Sequence, residues 1–282
     1  MKTLAVFMIM LFGVSVNAAS KSPQARPAPK PLAGKAGPKQ TLKPKVRTAK
    51  PAPRLPLTGL VLILDPGHGG EDPGAHGVFR GENVWEAPYT FDQAARVKYF
   101  AEQRGAKVFT TVACKEAGGH QNWPAEQVLE WKKNCRFTLD GSQVVAGKRG
   151  LDRRVRFANQ IAKKHRGQKM VFLSLHFDIA GEDSQGAFVI VPKEYKPTIA
   201  QRLVNSLNGL ASTAPLRVAG RNGQKNIHVL RGQNAVRERV LIELGNFRNE
   251  HDNYIIRNYE TRNRFAIRIA DALQQHLKGG RK

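Results

Sequence analysis

The strongest structural signal in this chain is the segment Val61-Leu-Ile-Leu-Asp-Pro-Gly-His-Gly-Gly-Glu-Asp-Pro-Gly-Ala75. Its four apolar residues, 61–64, predict a short buried strand, and the Pro and Gly residues that follow predict a tight turn. The turn presents His68 at the carboxyl end of the strand. Because α/β folds place their chemistry at that end of the sheet, the segment predicts an α/β fold with His68 in the functional site.

Two later segments show the same pattern of an apolar run that ends in a chemically active side chain. Residues 170–175 run into His176, and residues 240–242 run into Glu243. Both runs have the length of a buried strand. The sequence therefore predicts that three strands deliver His68, His176 and Glu243 to one edge of a sheet.

The remaining regular structure is read from apolar spacing. A stripe at helical spacing predicts a helix that begins near Glu86 and ends at Arg104-Gly105. A strand is predicted at 107–110, and a last helix at 258–277. His228 is predicted to lie on a strand near the site.

Two histidines and one carboxylate are typical of a catalytic zinc site, which leaves a fourth position for water. The candidates are His68, His176 and Glu86, whose carboxylate would lie in the first turn of its helix. A nearby carboxylate that binds no metal, Glu243, could transfer the proton during hydrolysis of an amide. A single histidine or glutamate of this kind is usually structural or solvated, but the combination favours a site.

At these residues the sequence resembles the zinc-dependent N-acetylmuramoyl-L-alanine amidases (amidase type 3), which cleave bacterial peptidoglycan. The resemblance spans about residues 58 to 277, in the order of the family. The matching segments are 64–75, Glu86 with its helix, 151–159 (Leu-Asp-Arg-Arg-Val-Arg-Phe-Ala-Asn), 174–178 (Ser-Leu-His-Phe-Asp) and 240–252.

The resemblance implies a single α/β catalytic domain with a twisted mixed β-sheet and helices on both faces. It implies one zinc ion per chain, bound by His68, Glu86 and His176, with Glu243 as the catalytic acid/base. The implied reaction is hydrolysis of the amide between N-acetylmuramic acid and L-alanine in peptidoglycan.

Glu82 is an alternative to Glu86, because Glu82 lies nearer the usual spacing of the family from the first histidine. The register of the helix, counted back from its predicted end, favours Glu86. Two other functions also remain open. One is a zinc peptidase of the carboxypeptidase type, and the other is a catalytically silent wall-binding module, against which the presence of Glu243 argues.

Three positions near the motifs bear on substrate binding. Asp178 stands where the family usually has Asn, and Thr111 stands where it usually has Arg. Arg154 keeps the position of the family. Arg154 and Asp178 are candidate substrate-binding residues, although a structural role for Arg154 is equally consistent with the sequence.

The segment at about 112–150 is an insertion where the family has a short connection. It contains both cysteines of the chain, Cys114 and Cys135. In an exported protein such a pair predicts a disulfide that constrains the loop, with two free thiols as the alternative. A short helix is predicted at 126–134. The insertion is interpreted as a wall of the substrate cleft or as a lid on which an activator protein could act.

The N-terminus indicates export. Residues 1–18 combine a positive start, an apolar run at 4–16 and small residues at the cleavage position, which is typical of a secretory signal peptide. Residues 19–56 form a basic linker rich in Pro, Ala and Lys, and the catalytic domain is predicted at 57–282. The expected location is periplasmic or secreted.

The chain carries a formal net charge of +24. Nucleic acid is excluded as the partner by the export signal and by the absence of a recognised binding motif. The expected partners are peptidoglycan, whose carboxylates favour a basic cleft, and anionic envelope polymers attracted by the linker.

Overall fold

A computed structural model describes residues 53–114, 135–208, 210, 216–219 and 227–279. The predicted signal peptide at 1–18, most of the predicted linker at 19–56 and the predicted helix at 126–134 lie outside these residues. The elements are, in chain order, β1 (Leu60–Pro66), β2 (His76–Phe79), β3 (Glu82–Trp85), α1 (Glu86–Gln103), β4 (Lys107–Thr110), β5 (Val112–Ala113), β6 (Arg136–Phe137), α2 (Gly147–Lys164), β7 (Lys169–Asp178), β8 (Phe188–Val191), α3 (Thr198–Leu207), β9 (Leu216–Val218), a 3₁₀ helix (His228–Leu230), β10 (Glu238–Asn246), α4 (Glu250–Arg257) and α5 (Tyr259–Gly279).

The centre of the fold is a mixed six-stranded sheet with the strand order β4-β1-β7-β10-β8-β9. The strands β4, β1, β7 and β10 are parallel to one another, β8 runs antiparallel to β10, and β9 is parallel to β8. Two hairpins, β2-β3 and β5-β6, lie outside this sheet. The predicted α/β class with a mixed sheet is confirmed.

Side chains of β1 alternate between two hydrophobic cores, one on each face of the sheet. Leu60, Leu62 and Leu64 pack in a core that also contains apolar residues of α1, α3 and α5. Val61 and Ile63 pack with α2 and the 3₁₀ helix. Because both faces are covered, the strand reads as an unbroken apolar run. Within the described part of the chain, none of the helices has the length and apolar character needed to cross a bilayer.

The predicted elements agree with the structure except at three places. Strands β7 and β10 continue beyond their apolar runs, since His176 and Glu243 still pair in register within the parallel ladder. The prediction of a strand at His228 was wrong. This segment instead forms i→i+3 hydrogen bonds, from Leu230 N to Ile227 O and from Arg231 N to His228 O, and the edge beside β8 is taken by β9.

Candidate metal centre

The turn after β1 carries His68 in a left-handed backbone conformation, with φ of 62°. Gly67 precedes it and lies directly against His176. A Cβ atom at Gly67 would lie only 2.4 Å from Cε1 of His176, so a side chain at this position would displace the histidine. The glycine of the motif therefore permits the close approach of the two histidines.

Glu86, the first residue of α1, joins the two histidines through its two carboxylate oxygens. Its Oε1 lies 2.9 Å from Nδ1 of His176 and accepts a hydrogen bond from the backbone N–H of Phe177. Its Oε2 lies 3.0 Å from Nε2 of His68 and accepts from the backbone N–H of Ala75. The ligand-type atoms of the three residues lie within 4.8 Å of one another.

The alternative ligand, Glu82, is exposed in β3 and lies outside this cluster. The structure thus brings together the three residues His68, Glu86 and His176. Two imidazoles and one carboxylate are a donor set that zinc binds in catalytic sites.

The electrostatics of the cluster are those of a cation site. Burial lowers the pKa of His68, but the adjacent charge of Glu86 and the contact with Asp72 outweigh it and raise this pKa to about 10. Burial would raise the pKa of Glu86, yet the two histidines hold it well below its usual range. The buried carboxylate therefore requires a positive charge, which a proton or a metal ion can supply.

Glu243 lies beside this cluster, on β10 in register with His176 of β7. Its Oε2 is buried and has no hydrogen-bond partner among the residues that the structure describes. Burial raises the pKa of Glu243 well above its usual range, and the negative charges of Glu86 and Asp178 add to this effect, against His68 and Arg217. A buried carboxyl oxygen without a partner is free to bind a ligand or a water molecule.

Beneath His68 lies a buried polar network that the sequence interpretation assigned only in part. Nη1 of Arg154 donates to Oδ1 of Asp65 at 2.6 Å and to the carbonyl of Pro66, and Nη2 donates to the carbonyl of His68 at 2.6 Å. Asp65 also accepts from Oγ1 of Thr111 and Oγ of Ser174. Arg154, a candidate substrate-binding residue, thus contacts the turn that carries His68.

Asp72 is another residue near the cluster that was not predicted from the sequence. Its Oδ2 lies 3.0 Å from Nδ1 of His68, and its Oδ1 accepts from the backbone N–H of Gly74. A carboxylate on the far nitrogen of a metal-binding histidine fixes the ring and its tautomer. The spacing of four residues from His68 within the same turn was the available signal. Asp178 is half-buried at the end of β7, where it borders the same cleft.

The cluster opens into a cleft of about 910 Å³. One wall is the start of α2, at Gly147–Leu151, and a second is the 3₁₀ helix with His228. The floor is formed by side chains of the sheet, namely Phe188, Ile190 and Leu241. The cleft is thus large enough for an extended substrate and has the cluster at one end.

The predicted disulfide between Cys114 and Cys135 is present. Cys135 is buried in a small core with Val112, Phe137 and Val144. The backbone carbonyl of Val144 accepts a hydrogen bond from Glu71 N in the turn after His68. The disulfide therefore links the start of the insertion to Cys135 within it, next to the turn that carries the first histidine.

Comparison with known proteins agrees with this geometry. The family profile of the N-acetylmuramoyl-L-alanine amidases matches residues 62–275. The germination-specific N-acetylmuramoyl-L-alanine amidase of Bacillus subtilis is 42% identical over 57 residues, which cover 20% of this chain and 22% of that protein. The probable cell wall amidase LytH of Staphylococcus epidermidis is 26% identical over 223 residues, which cover 79% of this chain and 60% of that protein. The matches thus span less than two thirds of either relative.

A similar fold is found in the catalytic domain of CwlV, an N-acetylmuramoyl-L-alanine amidase from Bacillus (Paenibacillus) polymyxa var. colistinus. The TM-score is 0.56 at 21% identity, with 77% of this chain and 98% of that chain covered. The family match extends over most of the chain and includes every residue of the cluster and Glu243. The chain belongs to the N-acetylmuramoyl-L-alanine amidase family.

Proposed function

We propose that this protein is a zinc-dependent amidase that hydrolyses the bond between N-acetylmuramic acid and L-alanine in peptidoglycan. The observation that carries the proposal is the Oε2 of Glu243, which has no partner among the described residues and lies beside the cluster of His68, Glu86 and His176. A metal site with an adjacent buried carboxyl group is the arrangement that amide hydrolysis requires.

His68, Glu86 and His176 would hold the zinc ion. When bound, zinc supplies a water of lowered pKa and polarises the carbonyl of the scissile amide. Other groups of the chain hold these three side chains in place. Backbone N–H groups of Ala75 and Phe177 fix the carboxylate of Glu86, and Asp72 contacts the outer nitrogen of His68.

Glu243 would transfer the proton between the attacking water and the leaving nitrogen. Its raised pKa suits this role, because a carboxyl group that both accepts and donates a proton works best when its pKa lies near the working pH. A cation held by Glu86 would offset the repulsion that Glu86 exerts on Glu243, so metal binding would also bring this pKa down.

The proposed setting is the bacterial envelope outside the cytoplasm. The apolar N-terminus is assigned as a signal peptide, and the basic segment at 19–56 as a tether to anionic envelope polymers. Because the disulfide anchors the insertion beside the turn that carries His68, the insertion is the proposed contact for an activator protein. Nucleic acid is not among the proposed partners.

The test uses purified peptidoglycan, with released products identified by mass. Wild type should free intact stem peptides, whereas Glu243→Gln and chelated wild type should free none. Glu82→Gln is the matched control, since Glu82 is exposed and outside the cluster, and it should retain activity. Cleavage within the stem peptide instead of at the sugar would identify a carboxypeptidase-type enzyme and contradict the proposal.

A further inference from the structure

One positively charged side chain near the cleft acts on the site described so far only through its charge, which lowers the pKa of Glu243. Arg217 lies on β9, the last strand of the sheet, and is half-buried. Its guanidinium carbon lies 3.6 Å from the centroid of the Phe188 ring. Among the described residues, no carboxylate forms an ion pair with Arg217 and no acceptor takes a hydrogen bond from it.

The register of the sheet places Arg217 on the face that forms the floor of the cleft. Glu243 is opposite Phe188 and Leu241 is opposite Ile190 in the antiparallel pair of β10 and β8. Ile190 is in turn opposite Arg217 in the parallel pair of β8 and β9. Because directly paired residues project to the same face, Arg217 extends the row of Leu241 and Ile190 by one strand, on the face that also carries Glu243 and Phe188.

Stacking on Phe188 orients the guanidinium group and leaves the N–H groups along its edge available to a hydrogen-bond acceptor. Cation–π contact uses the flat face of the group, whereas the five N–H donors lie in its plane. A planar fork of this kind matches a carboxylate through two parallel hydrogen bonds. Partial burial strengthens such a pair, since less water competes for the donors.

The acidic groups of the cleft lie on the opposite side of β8 from Arg217, which is still near enough to Glu243 for its charge to act on that carboxyl group. Asp72, Glu86, Asp178 and Glu243 all lie around the histidine cluster, where they would repel a carboxylate of the substrate. A substrate with a neutral scissile amide and a carboxylate further along fits this separation of charge.

We propose that Arg217 binds a free carboxylate on the peptide arm of the substrate and so determines which way the substrate lies in the cleft. The inference rests on the proposed function. In that substrate the lactyl carboxyl group is consumed in the scissile amide, so free carboxylates close to the scissile bond lie on its peptide side. The peptide arm therefore runs from β10 across β8 towards β9.

The test compares two soluble muramyl peptides that differ only in the peptide carboxylates, free in one and converted to primary amides in the other. Wild type should prefer the free carboxylates by about 10- to 100-fold in kcat/KM, as expected for a hydrogen-bonded charge. Arg217→Met should lose this preference, because its KM for the free-carboxylate substrate should rise to that for the amide form. Arg217→Lys should retain part of it, because lysine keeps the charge without the fork.

Arg264→Met is the matched control, because it removes one positive charge from an exposed position on α5. This variant should show the same preference for free carboxylates over primary amides as wild type does. An equal loss by Arg217→Met on both substrates would overturn the inference and make Arg217 a structural residue, as would a wild type without any preference.

Binding to the Glu243→Gln protein, measured by calorimetry, separates this inference from the proposed reaction. Preferential binding of the free carboxylates that Arg217→Met abolishes, together with no hydrolysis by wild type, would overturn the reaction and leave the carboxylate site standing. Hydrolysis of both substrates at equal kcat/KM would overturn only the role of Arg217.

Discussion

Arg154 and Asp65 form a buried ion pair, 2.6 Å from Nη1 to Oδ1, directly beneath the turn that carries His68. The same guanidinium also holds the carbonyls of Pro66 and His68. The pair links α2 to the end of β1. It therefore fixes the backbone on which the first histidine of the cluster depends.

Removal of one partner of this pair should be strongly destabilising. Arg154→Met leaves Asp65 buried without its cation, and the expected loss of unfolding free energy is about 3–5 kcal/mol. The double variant Asp65→Asn/Arg154→Met should lose less than the sum of the single variants, since no unpaired charge remains. Denaturant unfolding of the metal-free protein measures both; strictly additive losses would contradict the coupling.

Asp72 should govern metal affinity more than stability. Asp72→Ala removes the carboxylate at Nδ1 of His68, and loss of such a partner typically weakens metal binding by about 10- to 100-fold. The measurement is competition with a chromophoric zinc chelator. Asp140→Ala is the control, because Asp140 is half-exposed and contacts Ser142 and Arg153 away from the cluster. Equal zinc affinity in the two variants would refute this role.

The stability of the metal-free protein should fall as the pH rises above neutrality. The pKa of His68 is raised from 6.5 to about 10 in the folded state. Its stabilising contribution is therefore complete below pH 6.5 and is lost as the pH rises towards about 10. The raised pKa of Glu243 acts in the same direction.

Zinc should reverse this dependence, because metal binding requires neutral histidines and becomes more favourable as protons leave. Thermal unfolding from pH 6 to pH 10, with chelator and with excess zinc, gives the two curves. A metal-free protein that gains stability over this range would contradict the assigned pKa values.

The disulfide should contribute to stability through the chain it closes. Cys114 and Cys135 are separated by 21 residues, for which loop entropy gives about 3 kcal/mol. The double variant Cys114→Ser/Cys135→Ser should lose about this much unfolding free energy and so unfold at a lower denaturant concentration. Thiol titration of unfolded wild-type protein should detect no free thiol in the oxidised protein, and two after reduction.

The sequence was sufficient for the residues that local pattern controls. His68, His176 and Glu243 each follow an apolar run, so their place at the edge of the sheet could be predicted, and the helix register favoured Glu86 over Glu82. The partners of Asp65 could not be predicted, since Thr111, Arg154 and Ser174 come from three separate segments that meet only in the folded chain. The segment of His228 was assigned wrongly because a short apolar run does not distinguish a strand from a 3₁₀ turn.

The order of the central strands also bears on how the candidate site is assembled during folding. β1 and β7 bring the two histidines together with Glu86, but Glu243 arrives on β10, which is inserted between β7 and β8. Every pairing involved joins segments that are distant along the chain, and such pairings form slowly because a long loop must be closed first. A chain in which β1 and β7 have paired but β10 has not would hold His68, Glu86 and His176 together without Glu243. Under the proposed function, hydrolysis would therefore require the completed sheet, and a partly folded form of the domain would not cleave the wall.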